Sequence, residues 1–328
     1  MIVLLPTMFA LCSLFPLIFV WRYSRSSESS HTAGPDTPFS RLAVLGAVAV
    51  FLVTLTVFMT ADWWPLRWNT SPTPEFGISQ AISVGAAGTA ALVTYAVAHA
   101  VRAGSRGVGR READLSPRSW AGASAREATL TISSIVAAIW LSVAAVALTA
   151  TDAMSVLMPG PLSGSVFAAL TDSGEIQSSA YPGGAYFIPV AAAALILGLS
   201  ALVVFARIAF SRSPGGNRER ATTARVVAQL AMMGLGGMLG HFLWVSGVAI
   251  VQTSQLSMWM GAEELTPGLF GGATIPSVAA LICGVLVLLV GTLWCLIALL
   301  LLVRTTRNAI RGASRAFGAD AQSRLSRS

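Results

Sequence analysis

No lysine occurs anywhere in the 328 residues; all 21 basic residues are arginine. Without an ε-amino group there is no Schiff base to retinal or pyridoxal phosphate, and no Walker A loop, whose lysine must reach the nucleotide phosphates. Charge is scarce altogether. Only 11% of the residues are charged, against about 25% in soluble domains, so the chain lacks the polar surface of a water-soluble globule. Cysteine is scarce too: Cys12, Cys283 and Cys295 lie in apolar stretches with no C-x-x-C spacing. On one helix, Cys283 and Cys295 would stand about 18 Å apart, too far for a disulfide. They read as small apolar packers. No H-E-x-x-H or G-x-S-x-G stretch is present, and His241 is followed by Phe242-Leu243-Trp244. A nucleophile, a base and an orienting group cannot be assembled, so the reading leans against an enzyme and names no catalytic residue, metal ligand or cofactor.

What the chain has in abundance is apolar length. Seven runs are long enough to cross a hydrocarbon core as helices, at about 3–21, 42–61, 79–101, 129–150, 185–210, 226–252 and 275–303. They lack the alternation of barrel strands, and in lipid only a helix satisfies its own backbone. The expectation is an all-α integral membrane protein. Residues 1–303 form a seven-transmembrane-helix bundle, and residues 304–328 a basic cytoplasmic tail.

The arginines orient it. Twenty fall in alternate gaps: Arg22 to Arg41, Arg102 to Arg126, Arg207 to Arg225 and Arg304 to Arg327; Arg67 alone falls in the others. Basic excess marks cytoplasmic loops, which places the N-terminus outside and the C-terminus inside. The 14 acidic residues split evenly between the two sides, as expected of residues that contribute little to orientation. The net charge of +7 is thus a topology signal with some attraction to anionic headgroups, and nothing in it suggests nucleic acid. The first run has no basic segment before it and no A-x-A-like site after it, so it reads as a retained helix. Arg-only, Ala/Gly-rich usage suggests the cell membrane of a GC-rich bacterium.

The connections are too short to hold cores of their own. "SARE" (Ser124 to Glu127) is a capping box for the fourth helix, and "SPGGN" (213–217) a tight breaker between the fifth and sixth. Trp63, Trp64 and Trp68 suit an interfacial belt, as do Met258, Trp259 and Met260 beside Glu263 and Glu264. "SVFAAL" (Ser165 to Leu170) is expected to form a short helix over the outer mouth. Arg304, Arg307, Arg311 and Arg315, at three- and four-residue steps, read as a helix end continuing into the headgroup layer.

Asp and Glu are absent from the interiors of the runs, which argues against an ion-coupled transporter. The one polar oddity is "GLGGMLGHFLW", Gly234 to Trp244. At about 100° per residue, Gly236, Gly240 and Gly247 share one side of the sixth helix, which Gly234, Gly237, His241 and Trp244 continue. Gly236-x-x-x-Gly240 is the spacing that lets two backbones approach closely in lipid. Leu235, Leu239, Phe242 and Ala249 are expected on the opposite side, toward lipid or a looser contact. Gly284 and Gly291, with Ala280, Cys295 and Ala298, form a matching stripe on the seventh. Helices three, four, six and seven should make the tight centre, with five peripheral.

His241 at the margin of the glycine face should point into the bundle, because an unsatisfied ring in hydrocarbon costs several kcal/mol. Its expected partner is a hydroxyl or carbonyl of helix three or four, among Ser83, Thr89, Thr94, Tyr95, Ser133, Ser134 and Ser142. The sharper alternative makes His241 and Trp244 a binding site in a cavity. Two functions follow. One is a non-enzymatic regulatory or accessory component with a basic cytoplasmic face, whose partners are the lipid bilayer and a membrane or cytoplasmic protein. The other is a permease or small-molecule-binding protein with a cavity at the helix-six histidine.

Overall fold

The computed structural model describes residues 10, 11, 13, 14, 16 and 18, and the ranges 38–61, 78–105, 128–141, 166–170, 176–180, 184–210, 216–259, 264–265 and 275–325. The tryptophans of 63–68 and the capping box of 124–127 lie outside them. Six helices stand among the described residues: α1 (Pro38–Ala61), α2 (Ile78–Ser105), α3 (Ala128–Leu141), α4 (Gly184–Phe210), α5 (Gly216–Trp259) and α6 (Ser277–Leu325). The described residues from 10 to 18 are helical as well. All of α1, α2, α4, α5 and α6 contain stretches long and apolar enough to cross a membrane, while Ala128–Leu141 is shorter. This is a helical membrane protein with several spans. Hydroxyls within the spans are accommodated by bonding back along their own helix: Thr56 donates to Leu52 O, Thr292 to Leu288 O and Thr306 to Leu302 O, each at 2.8–2.9 Å.

The expected short helix at Ser165–Leu170 is instead a strand. Val166–Leu170 (β1) pairs antiparallel with Ile176–Ala180 (β2), Val166 opposite Ala180 and Leu170 opposite Ile176, and the hairpin rests against α5. A run this short cannot offset the cost of helix nucleation. Glu264–Leu265 (β3) and Ile275–Pro276 (β4) form a second, minimal pair.

Packing centres on α5, which contacts α2, α4 and α6; α1 lies against α2 and α6. Of the most apolar 18 residues within Arg220–Val248 of α5, 94% are buried, against 33% of the corresponding 18 within Val278–Ile310 of α6. Yet α5 is among the less apolar of the five and α6 the most. Lipid inverts the logic of a soluble core: aliphatic side chains lose nothing by facing acyl chains, whereas small residues gain close backbone contact by facing protein.

Two expectations about faces are corrected here. Leu235 and Leu239 are fully buried and Phe242 nearly so, so the aliphatic side of α5 meets protein rather than lipid. A central helix has neighbours all round. The fifth run is not peripheral either. Ala191, Ala194, Gly198 and Ala201 of α4 are all buried, and Leu197 beside them wedges against both Gly88 of α2 and Gly234 of α5. A small-residue stripe at three- and four-residue steps brings α4 inward despite its Leu and Val content.

Candidate functional site

The glycines of α5 and α6 make the closest helix contact in the chain's described core. A Cβ placed on Gly240 would lie 2.7 Å from Cys295 N and 2.9 Å from Gly291 O, and one on Gly291 would lie 2.5 Å from Trp244 N. Gly247 faces the Leu288 backbone, and Gly284 faces Ile250 and Val251. The two helices therefore run antiparallel, and each supplies two glycines seven residues apart, Gly240 and Gly247 against Gly284 and Gly291. The seven-residue step keeps both on one face of a helix, so backbones touch along two turns rather than at a point.

Gly236 holds a different partner. A Cβ there would meet Trp294 Cε3 at 3.3 Å. Trp294 is fully buried, and its indole Nε1–H donates to Ser13 Oγ at 3.2 Å; Ser13 Oγ in turn donates to Ala10 O at 2.6 Å. The missing side chain of Gly236 makes room for an indole ring, and the polar edge of that ring ties the N-terminal helical residues to α6. Sequence reading overlooked both. An indole in a Leu-rich helix looks like one more apolar residue until a partner for its N–H appears.

On the α2 side, Gly237 packs on Val84, and Gly85 on Met238. His241 lies one turn beyond Gly237, toward the first residues of α2, and is half-buried. Of the hydroxyls proposed as its partners, Thr89 donates to Gly85 O, Thr94 to Ala90 O and Ser134 to Leu130 O at 2.7–2.9 Å. Each of those protons is already used within its own helix. Ser83 is fully buried, Ser133 is exposed, and Ser142 lies outside the described residues. Trp244 is 45% exposed. His241 is thus half-buried, while much of the Trp244 ring lies on the outside of the described bundle, where a tryptophan commonly meets the membrane interface.

A second polar contact crosses from α5 to α6. Gln229 and Thr305 are both buried, with Thr305 Oγ1 donating to Leu301 O at 2.7 Å and lying 3.5 Å from Gln229 Oε1. Among the described residues no three His, Cys, Asp or Glu side chains gather as metal ligands would, and Cys283 and Cys295 are free thiols. Comparison with known protein families, with curated proteins and with solved structures finds no match to this chain.

Proposed function

We propose that the protein is a seven-span protein of the cell membrane, its N-terminus outside and C-terminus inside, in a GC-rich bacterium. It acts without catalysis as a regulatory or accessory component that engages a membrane or cytoplasmic protein through its arginine-rich inner face. The observation that supports this over a permease is the filled centre. The helix that would line a central path, α5, is instead packed against α2, α4 and α6, with its Met232, Leu235 and Leu239 and the facing Trp294 of α6 all at 0–1% exposure. A solute route needs polar groups around a wet axis, and dense apolar packing argues against one.

Orientation has a direct test. In a background with Cys12, Cys283 and Cys295 replaced, Ser173→Cys is expected to react with a membrane-impermeant thiol reagent in intact cells, and Ser213→Cys to stay unlabelled until the cells are opened. Labelling of position 213 in intact cells would reverse the topology.

His241 discriminates the two functions. If it is a packing residue, His241→Gln keeps a hydrogen-bonding end and retains stability, and neither chain shows a histidine-like change in stability or conformation between pH 5 and 7. In a wet cavity the ring would titrate near its reference value of about 6.5. A transition in that window that disappears in His241→Gln, followed by intrinsic tryptophan fluorescence, would move the protein to the small-molecule-binding class.

A further inference from the structure

The exposed face of α6 changes character along one continuous helix. Leu286, Leu293 and Leu300 are exposed at seven-residue steps, and the next step of seven is Arg307, also exposed. Seven residues return a helix to within about 20° of the same direction, so the row that faces acyl chains ends in a guanidinium. Arg304 flanks it nearly one turn back, half-buried, and Arg311 falls in the same arc of the helix one turn on. From Ser277 to Ala319 the helix carries no carboxylate. The stripe is therefore of one sign.

Depth fits as well as sign. Arg304 and Arg307 differ in height by about 5 Å at 1.5 Å per residue, and the headgroup layer of one leaflet is about 5–8 Å thick. The antiparallel contacts of α5 with α2 and α6 set the ends in register, and α2 and α4 run parallel, Gly85 and Gly88 meeting Ala193 and Leu197. The exposed Arg207, near the end of α4, thus stands at the same end of the bundle.

We infer that the end of α6 is a binding site for anionic phospholipid, with Arg304 and Arg307 holding the lipid phosphate while the acyl chains lie along Leu293 and Leu300. A guanidinium suits this because its planar donors grip a phosphate in two places. Spanning the membrane is sufficient for the site; the regulatory reading and the orientation are not needed.

The test uses the full chain, purified and reconstituted in nanodiscs of equal parts phosphatidylcholine and phosphatidylglycerol, with retained lipid counted by native mass spectrometry. Wild type is expected to retain phosphatidylglycerol over phosphatidylcholine. Each basic residue near a leaflet strengthens the attraction about fivefold, so Arg304→Gln with Arg307→Gln is expected to cut that preference roughly tenfold or more. Arg304→Lys with Arg307→Lys keeps the charge without the planar grip and should fall between, and it serves if the Gln variant does not fold. Equal loss of charge at Arg324 and Arg327 should leave the preference intact, and added inorganic phosphate should not displace the lipid. An unchanged preference in the folded Gln or Lys variant overturns the inference. So does an equal loss from the Arg324 and Arg327 variant, which would mean diffuse attraction, or displacement by free phosphate. If the Gln variant keeps its phosphatidylglycerol but loses a bound acidic protein, the stripe serves a protein and the inference fails.

Discussion

Gly240→Leu is expected to be the most damaging single substitution in the spans. A Cβ at that position already lies 2.7 Å from Cys295 N and 2.9 Å from Gly291 O, and both are backbone atoms that no rotamer change can move aside. Overpacking typically costs about 1–3 kcal/mol where side chains can adjust. Here α5 and α6 must part along their whole glycine seam, so the cost should reach or exceed the top of that range. Thermal unfolding in detergent measures it. Leu239→Ala should also be destabilising, by about 2–5 kcal/mol, because Leu239 is fully buried and the truncation leaves a cavity. The two variants therefore fall together although they lie on different sides of α5. Gly46 of α1 is the control: an added Cβ meets nothing within 4 Å, and Gly46→Ala should lose no stability. A Gly240→Leu midpoint equal to that of Gly46→Ala would refute the seam.

Trp294→Ala is expected to cost about 3–5 kcal/mol, the range for deleting a buried aromatic ring. It should also have an effect that simple cavity formation lacks. With the indole gone, Ser13 loses the donor that ties the N-terminal helical residues to α6. A cysteine placed at Ala10, a residue 1% exposed, should then react with a membrane-permeant thiol reagent faster than in the native background. Ser13→Ala isolates the polar part. It strands a buried N–H, at about 1–3 kcal/mol. If Trp294→Ala leaves the Ala10 site as protected as before, the indole only fills space.

Helix existence was legible because it follows from length and solvent alone. A run such as Val278–Val303 has no other way to satisfy its backbone in hydrocarbon. Helix ends were legible less well. The sixth run, read as 226–252, lies within Gly216–Trp259, and the seventh continues to Leu325. Hydropathy marks the part in lipid and is blind to polar turns that continue beyond it. Of the candidate residues, the glycines could be named from their spacing, since the absence of a side chain is meaningful only where something must come close. His241 and Trp244, three residues apart, looked like one site in projection. Their burial could not be read that way: His241 is half-buried and Trp244 45% exposed, a difference set by the helices packed around α5.

Composition and periodicity by themselves determined that this is a helical membrane protein with several spans, which glycines could form a close seam, and at which helix ends the arginines gather. These are local or one-dimensional properties: apolar length, the angle per residue, the order of charges along the chain. Which helix stands at the centre was decided only in the tertiary structure. In water the most apolar helix would be buried. In lipid that drive is absent, so α6, rich in leucine, keeps its stripe outward, and α5, with its glycines and alanines, is enclosed by α2, α4 and α6. The wedge of Leu197 between Gly88 and Gly234 and the indole of Trp294 over Gly236 follow from that choice. Each requires two helices to be adjacent, and adjacency is set by how the shapes of all the helices fit at once.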